Sequence, residues 1–502
     1  MADNYYLGID LGTSSVRAVL FNHDGQPVHA EQRETPLMTE TAATAELDPD
    51  LIFDQLIEVV SQSTRFAREH NHHIRAIGWS TQLHSLMAVD KSGRPLTRLM
   101  TWADSRANDQ ADEISRQFDS DRLYSITGCR AQHPLYPLSK ILWLKECQPD
   151  VFARAHRFIS IKTYLTERLC GEYLIDITDA SATACFNIRE FRWDPYILKE
   201  ILGLEPRHFA RPVACEAVLP PLKPQMRLRL GLEPETLIVA GTGDGIAANL
   251  GCGIFDDSAM TSTIGTSGAI RTTVRQPLLD PRQRTWCYCL SDHLWVAGGA
   301  INNGGIVLRW LRDQFLETFK ADAAASDLNS VYAQFDRYAA DLPAGSDGLI
   351  FLPLLTGERS PNWNARTRGV LYGLDIRHSR AHIVRAAMEG ILYQMYSVYQ
   401  ALASISGSSI QIRANGGYAR SEIWLQMQAD LFGQPIAVST VSEASALGAA
   451  YLGMLAAGTV SHLGETLPAM AVHKIFQPDP AQSAVYQSGF QLYQDIYQRL
   501  YR

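Results

Sequence analysis

Three short runs of residues have types and spacings suited to chemistry. Near the N-terminus the chain reads Gly8-Ile9-Asp10-Leu11-Gly12-Thr13-Ser14-Ser15-Val16-Arg17. In the second half it reads Thr263-Ile264-Gly265-Thr266-Ser267-Gly268-Ala269-Ile270-Arg271. Each has strand-forming residues on both sides of a Gly-Thr-Ser tip. Glycine lacks a Cβ, so backbone N–H groups can approach an anion, and Thr and Ser add hydroxyl donors. One such tip is ordinary turn chemistry. Two in matching contexts predict two hairpins clamping one polyphosphate. Asp10, in the first, suits a magnesium ion held through water. The third run is Gly241-Thr242-Gly243-Asp244-Gly245, after the short apolar strand 237–240. Gly-Asp-Gly is also a plain turn sequence. At the C-terminal end of a strand, however, it sits where α/β folds place reactive groups. Asp244 is expected to act there as general base, taking the proton of a substrate hydroxyl as that oxygen attacks a γ-phosphate. It would share the phosphate region, and the metal, with Asp10. Such a transfer needs positioning, a metal and donors on the phosphate oxygens more than covalent help.

A polar cluster suits the acceptor. Gln82, His84 and Ser85 follow the strand 74–80, and Trp102, Asp104 and Arg106 come soon after. Carboxylate and amide groups take paired hydroxyls, and an indole packs on the carbon face of a sugar. Arg106 and His84 could also receive an anionic end group. Alone, His84 reads more readily as a satisfied half-buried histidine than as a binding group, and Asp104 with Arg106 reads equally as a solvated loop pair. In the second half, Asn302-Asn303-Gly304-Gly305 opens the helix 305–315 as an approach site for an anion or nucleotide. Gly416 and Gly417 end the strand 410–414, where backbone could approach adenine and ribose. Glu443 with Ala446-Leu447-Gly448-Ala449-Ala450 reads as a small-residue helix start made for close helix packing.

The elements that must position these groups repeat. Strands are expected at 5–10, 16–21 and 27–35, then a helix opened by Pro49 with Leu51, Ile52, Leu56, Val59 and Val60 on one face, then the strand 74–80. The second half restarts with strands at 259–264, 269–274, 286–290 and 294–297, and helices at 382–404 and 421–432. Residues 105–230 are more helical. A last helix, 482–500, docks on the second half. Two similar α/β domains follow, joined near 253–258, with the ligand in the cleft between them.

The totals agree. At 502 residues the chain is too long for one core. With 46% hydrophobic and 20% charged residues it is ordinary globular protein. A net charge of −8 and no basic tract argue against nucleic acid. No apolar run is long enough to span a membrane, and the start lacks the regions of a signal peptide. The eight cysteines form no zinc-type pair, Cys287 and Cys289 read as core thiols, and a reduced, cytoplasmic chain is expected. The partner is a small molecule, and a homodimer is the one macromolecular assembly left open.

Taken in order, these residues resemble the FGGY family of carbohydrate kinases, built on the actin/hexokinase/Hsp70-like (ribonuclease H-like) ATPase fold. The carriers are the opening run to Ser15, Gly243-Asp244-Gly245 and the hairpin at 263–267. Further carriers are Gly357-Glu358-Arg359-Ser360-Pro361, Ala386-Ala387-Met388-Glu389-Gly390, and Asn415-Gly416-Gly417 with Trp424 and Gln428. The resemblance covers essentially the whole chain. It implies an N-terminal domain over 1–253 with the sugar site and base, and a C-terminal domain over 254–502 with the nucleotide site. It implies ATP and Mg2+, with Asp244 as base and Asp10 near the metal. Gly12, Thr13, Ser14, Gly265 and Thr266 would meet phosphate, and Gly305, Arg309, Gly416, Gly417 and Ser421 would line the nucleotide. Within the family the chain is most similar to the gluconate kinases, on Leu83-His84-Ser85-Leu86, 101–106, His133-Pro134 and 298–305. That branch implies phosphorylation of D-gluconate to 6-phospho-D-gluconate, with Arg106, His84 and Lys140 as the cations near its carboxylate. A xylulokinase or other pentulose kinase is the alternative, and a non-catalytic sugar or nucleotide sensor the rival from another class.

Overall fold

The computed structural model describes residues 4–314, 328–406, 411–441 and 443–501. Phe315 and Ile410, assigned above to a helix and a strand, lie outside the described residues.

The first sheet is built from β1 (Asn4–Leu11), β2 (Ser15–Phe21), β3 (Pro27–Glu34), β4 (His73–Thr81) and β5 (Leu237–Ile238), in the order β3-β2-β1-β4-β5, with the short strand Thr242–Gly243 also paired to the end of β4. β1, β2 and β3 are antiparallel to one another, and β4 and β5 join in parallel. Helix α1 (Pro49–Glu69) makes the crossover between β3 and β4. Asp48 caps it, accepting from the backbone of Asp50 and Leu51, and Pro49 supplies a preset φ in its first turn. Ile52, Leu56, Val59 and Val60 are buried as their spacing predicts, with Phe53 and Ile57 beside them, while Leu51 is only partly covered.

The second sheet repeats the plan. Its strands are β6 (Ala259–Ile264), β7 (Gly268–Val274), β8 (Trp286–Cys289), β9 (Trp295–Ile301), β10 (Gln411–Asn415), β11 (Ile436–Ser439) and β12 (Val472–Phe476), in the order β8-β9-β7-β6-β10-β11-β12. Its inner strands, β9-β7-β6-β10-β11, follow the pattern of β3-β2-β1-β4-β5. The hairpin is antiparallel, and the two strands beyond its first member are parallel. Helix α2 (Asp244–Gly251) follows β5 and helix α3 (Gly305–Gln314) follows β9. After them come α4 (Arg380–Ser406), α5 (Glu422–Phe432), α6 (Ala444–Ala456) and α7 (Pro480–Tyr501). Helix α7 buries Tyr486, Phe490, Tyr493 and Tyr497. Cys287 and Cys289 are fully buried in β8, and burial pushes the Cys287 thiol up to about 12, so both are core thiols.

Helix α6 joins the halves. A Cβ at Gly8 of β1 would overlap the carbonyl oxygen of Ala446, and one at Gly78 of β4 that of Ala449. A Cβ at Gly448 would overlap the carbonyl oxygen of Ala247 in α2. The small residues of 444–450 therefore serve backbone-to-backbone packing, as expected of them. Glu443, just before this helix, pairs with Arg17 of β2.

Candidate active site

Both Gly-Thr-Ser tips open onto one cleft of about 1740 Å³, lined by Thr13 and Ser14 from the first half and Gly265, Thr266 and Ser267 from the second. Asp244, Trp102, Asp104 and Arg309 line it as well. The first tip is braced from behind. Thr13 Oγ1 donates to Gln82 Oε1 at 3.1 Å and accepts from Trp102 Nε1 at 2.9 Å. Gln82 Nε2 reaches the Gly12 carbonyl at 3.4 Å. Gln82 is 1% exposed and is not among the residues that line the cleft.

The second tip is tied to the start of α3. The N–H groups of Gly305 and Ile306 donate to the carbonyls of Gly265 and Thr266, at 2.7 and 3.1 Å. A Cβ at Gly305 would stand 2.7 Å from the Gly265 oxygen. The glycine at this helix start thus lets the hairpin tip approach. Its N–H is committed to protein, which corrects the reading of this helix end as open to an anion. Arg309, a turn later, is exposed in the cleft. Gly416 has φ +91°, and a Cβ there would meet the Ile264 carbonyl at 2.7 Å, whereas Gly417 has no atom within 4 Å of its Cβ position. Ser421 caps α5, accepting from Trp424 N–H at 3.2 Å and donating to Asp336 Oδ1 at 2.7 Å. Gly416, Gly417 and Ser421 are not among the cleft-lining residues.

Asp10 and Asp244 stand half-buried at the ends of β1 and the start of α2. Burial first, and the nearby Asp244 carboxylate second, push Asp10 up to about 6, although Ser80 Oγ donates to it at 2.8 Å. Burial also raises Asp244. Arg271, the Gly245 N–H at 2.7 Å, Arg359 and Lys162 oppose that shift. Lys162 is itself buried, donates to the Thr242 carbonyl at 3.0 Å and pairs with Asp176, so it holds the strand end that delivers Asp244. Asp244 is the first residue of α2, not a free turn residue, and Gly245 has a specific reason to lack a side chain. A Cβ there would lie 2.7 Å from Arg271 Nε.

The cations assigned above to an anionic end group are otherwise engaged. Arg106 donates to Asp104 at 2.7 to 3.1 Å and to Glu46 at 2.6 Å, with its guanidinium 5.1 Å from the Trp143 ring centroid. Asp104 also accepts from the Ala45 N–H at 3.0 Å. His84 holds φ +66° and bonds Tyr288 Oη through Nε2 at 2.9 Å. Burial, with Arg359 and Lys140 nearby, keeps the His84 pKa well below its ordinary value, so it is neutral. Lys140 is fully buried and donates to the carbonyls of His84 and Thr101, at 2.8 and 2.7 Å. Arg106, His84 and Lys140 thus shape the cleft wall and do not line the cleft.

Other arginines do. Arg271 of β7 and Arg359 both line the cleft. Arg359 lies 4.8 Å from the Trp102 ring centroid, on the indole assigned above to a sugar face. Burial lowers the pKa of each, Arg359 to about 10. The sequence carries one signal of Arg271, a charge inside the buried run Gly268–Val274.

The N-terminal domain of the FGGY family of carbohydrate kinases matches residues 5–251, and its C-terminal domain matches 260–457. The chain belongs to the FGGY family. This kinase has the family's two-domain, actin/hexokinase-like fold, and ATP is the phosphate donor expected of it. It is 39% identical over 458 residues to the gluconokinase of Bacillus subtilis, covering 91% of this chain and 88% of the relative. It is similar to two solved Lactobacillus acidophilus structures, each 33% identical over 99% of this chain and 98% of the other. One is a gluconate kinase, with a TM-score of 0.90, and one a ligand-bound xylulose kinase, with a TM-score of 0.91. No described helix of this kinase is long and apolar enough to cross a membrane.

Proposed function

We propose that this kinase transfers the γ-phosphate of ATP to a sugar acid, converting D-gluconate to 6-phospho-D-gluconate. The observation that carries the sugar-acid reading is the 39% identity, over nearly the whole chain, to a protein named gluconokinase. Residues 1–253 would supply the acceptor site and the base, and residues 254–502 the nucleotide site, with Gly305, Arg309, Gly416, Gly417 and Ser421 near it. Gly12, Thr13, Ser14, Gly265 and Thr266 would surround the phosphates. The Gly265 Cβ position has no atom within 4 Å, which is room for a phosphate.

Asp244 accepts the proton of the acceptor hydroxyl. The freed oxygen pair forms the new bond to phosphorus as the bond to the bridging oxygen breaks and ADP leaves. Arg271 and the Gly245 N–H favour the ionised carboxylate that this step requires. Magnesium fits Asp10 and Asp244. Among the described residues no three His, Cys, Asp or Glu side chains gather to hold a metal alone. One or two carboxylates, waters and substrate phosphates are the set magnesium ordinarily takes. Bound there, it would neutralise charge on the phosphates. The eight free cysteines suit a reducing cytoplasm, which we propose as its compartment.

The second reading, a pentulose kinase, is favoured by the equal likeness to the xylulose kinase structure. The test is ADP release by the purified chain with ATP and Mg2+, on D-gluconate, D-xylulose, D-ribulose, L-ribulose and glycerol side by side. Turnover on D-gluconate alone is expected. Turnover on a pentulose and not on gluconate would overturn the substrate. ATP binding with no turnover on any acceptor would favour a sensor.

A further inference from the structure

A sugar acid brings a negative charge into the cleft, and Arg106, His84 and Lys140 are not available to meet it. Arg271 and Arg359 are. Each lines the cleft, and each has a buried Nε with no hydrogen-bond partner. Among the described residues each guanidinium makes a single hydrogen bond. Arg271 donates to Thr263 Oγ1 at 3.1 Å, and Arg359 donates to the Ile301 carbonyl at 3.1 Å. A guanidinium carries five N–H donors in a fixed fork that matches a carboxylate in bidentate fashion. Most of the donors on both side chains are therefore unspent. The two cations lie within electrostatic reach of each other and of Asp244.

The setting is also rigid. The absent side chain of Gly245 makes the space in which the Arg271 guanidinium lies. The Arg359 guanidinium rests on the Trp102 indole, which Thr13 holds by its Nε1. We propose that Arg271 and Arg359 form the subsite that receives the carboxylate of the acceptor. The inference rests on the sugar-acid reading above.

The test compares D-gluconate with D-gluconamide, which has the same carbon chain and no charge. In the unmutated enzyme gluconate should bind roughly 10- to 100-fold tighter, the range expected for charge-assisted hydrogen bonds. In Arg271→Gln and Arg359→Gln the ratio of kcat/KM values for the two acceptors should fall by a similar factor. Arg271→Lys and Arg359→Lys, which keep the charge and lose the fork, should fall between. The binding comparison on the unmutated enzyme stands even if a variant fails to fold. Equal affinity for the two acceptors there would overturn the inference. So would variants that lower both acceptors in parallel while raising the KM for ATP, which would assign the guanidiniums to the phosphate donor. An unmutated enzyme that phosphorylates pentuloses and no sugar acid would instead sink the substrate reading, and the inference with it.

Discussion

Asp10 and Asp244 lie within electrostatic reach of one another. After burial, the Asp244 carboxylate is the largest influence raising the Asp10 pKa, to about 6. Two carboxylates placed this way are a poor arrangement for an empty protein and a good one for binding a cation.

This relationship predicts a pH-dependent stability. The folded pKa of Asp10 lies above its ordinary value of 3.8, so the folded state binds the extra proton between about pH 4 and 6. Stability therefore falls as pH rises through that window, by at most about 3 kcal/mol before solvent screening. Asp10→Asn should raise the melting temperature at pH 8 and leave it unchanged at pH 4. Magnesium should raise that of the unmutated protein more than that of the variant. Thermal denaturation at both pH values checks this, and no difference at pH 8 would count against it.

Asp244→Asn should lower kcat by roughly 10²- to 10⁴-fold, the range for loss of a general base. ATP affinity should change little. ADP-release kinetics and nucleotide titration measure the two. Activity retained within tenfold would remove Asp244 from the base role.

Lys140 works in the opposite sense to Asp10. Burial holds its pKa down to about 7, from 10.5 in the open chain. Between those values the unfolded chain binds a proton that the folded chain does not, so stability rises with pH from about 7 to 10. Lys140→Met should flatten that slope. It should also cost about 1–3 kcal/mol, because the His84 and Thr101 carbonyls lose their donor. Urea midpoints at pH 7 and 9.5 separate the slope from the offset.

Packing of α6 against the first sheet predicts a contrast between two glycines. Gly8→Ala would drive a methyl group into the Ala446 carbonyl and should cost at least about 2 kcal/mol. Gly417→Ala, with open space at its Cβ, should stay within about 0.5 kcal/mol of the parent. Chemical denaturation reads both, and similar losses would mean that the close approach of Gly8 to α6 is not what constrains that position.

Local sequence was enough to determine the repeated hairpins, the capped helix after Pro49, the core role of Cys287 and Cys289, and the small-residue helix after Glu443. Each of these follows from a neighbour-range rule: period-two burial, a capping side chain, or the absence of a Cβ. The same rules drew attention to Asp10, Asp244 and both Gly-Thr-Ser tips, because a turn that must approach an anion is written in residues next to one another. The partners of the charged side chains were not legible in that way. Arg106 reads as a cation open to an anion, or as half of a loop pair with Asp104, until the fold brings Glu46 to it as well. His84 reads as a binding group until Tyr288 and the Lys140 ammonium close around it. Gly305 reads as an anion site until the Gly265 carbonyl takes its N–H. Arg271 and Arg359, far apart in the chain, become one cationic wall of the cleft only when the second sheet, and the loop carrying Arg359, are set beside Trp102 and Asp244. Charge compensation and desolvation depend on distance in space, so tertiary structure alone decided which of this protein's cations are spent and which still face the cleft.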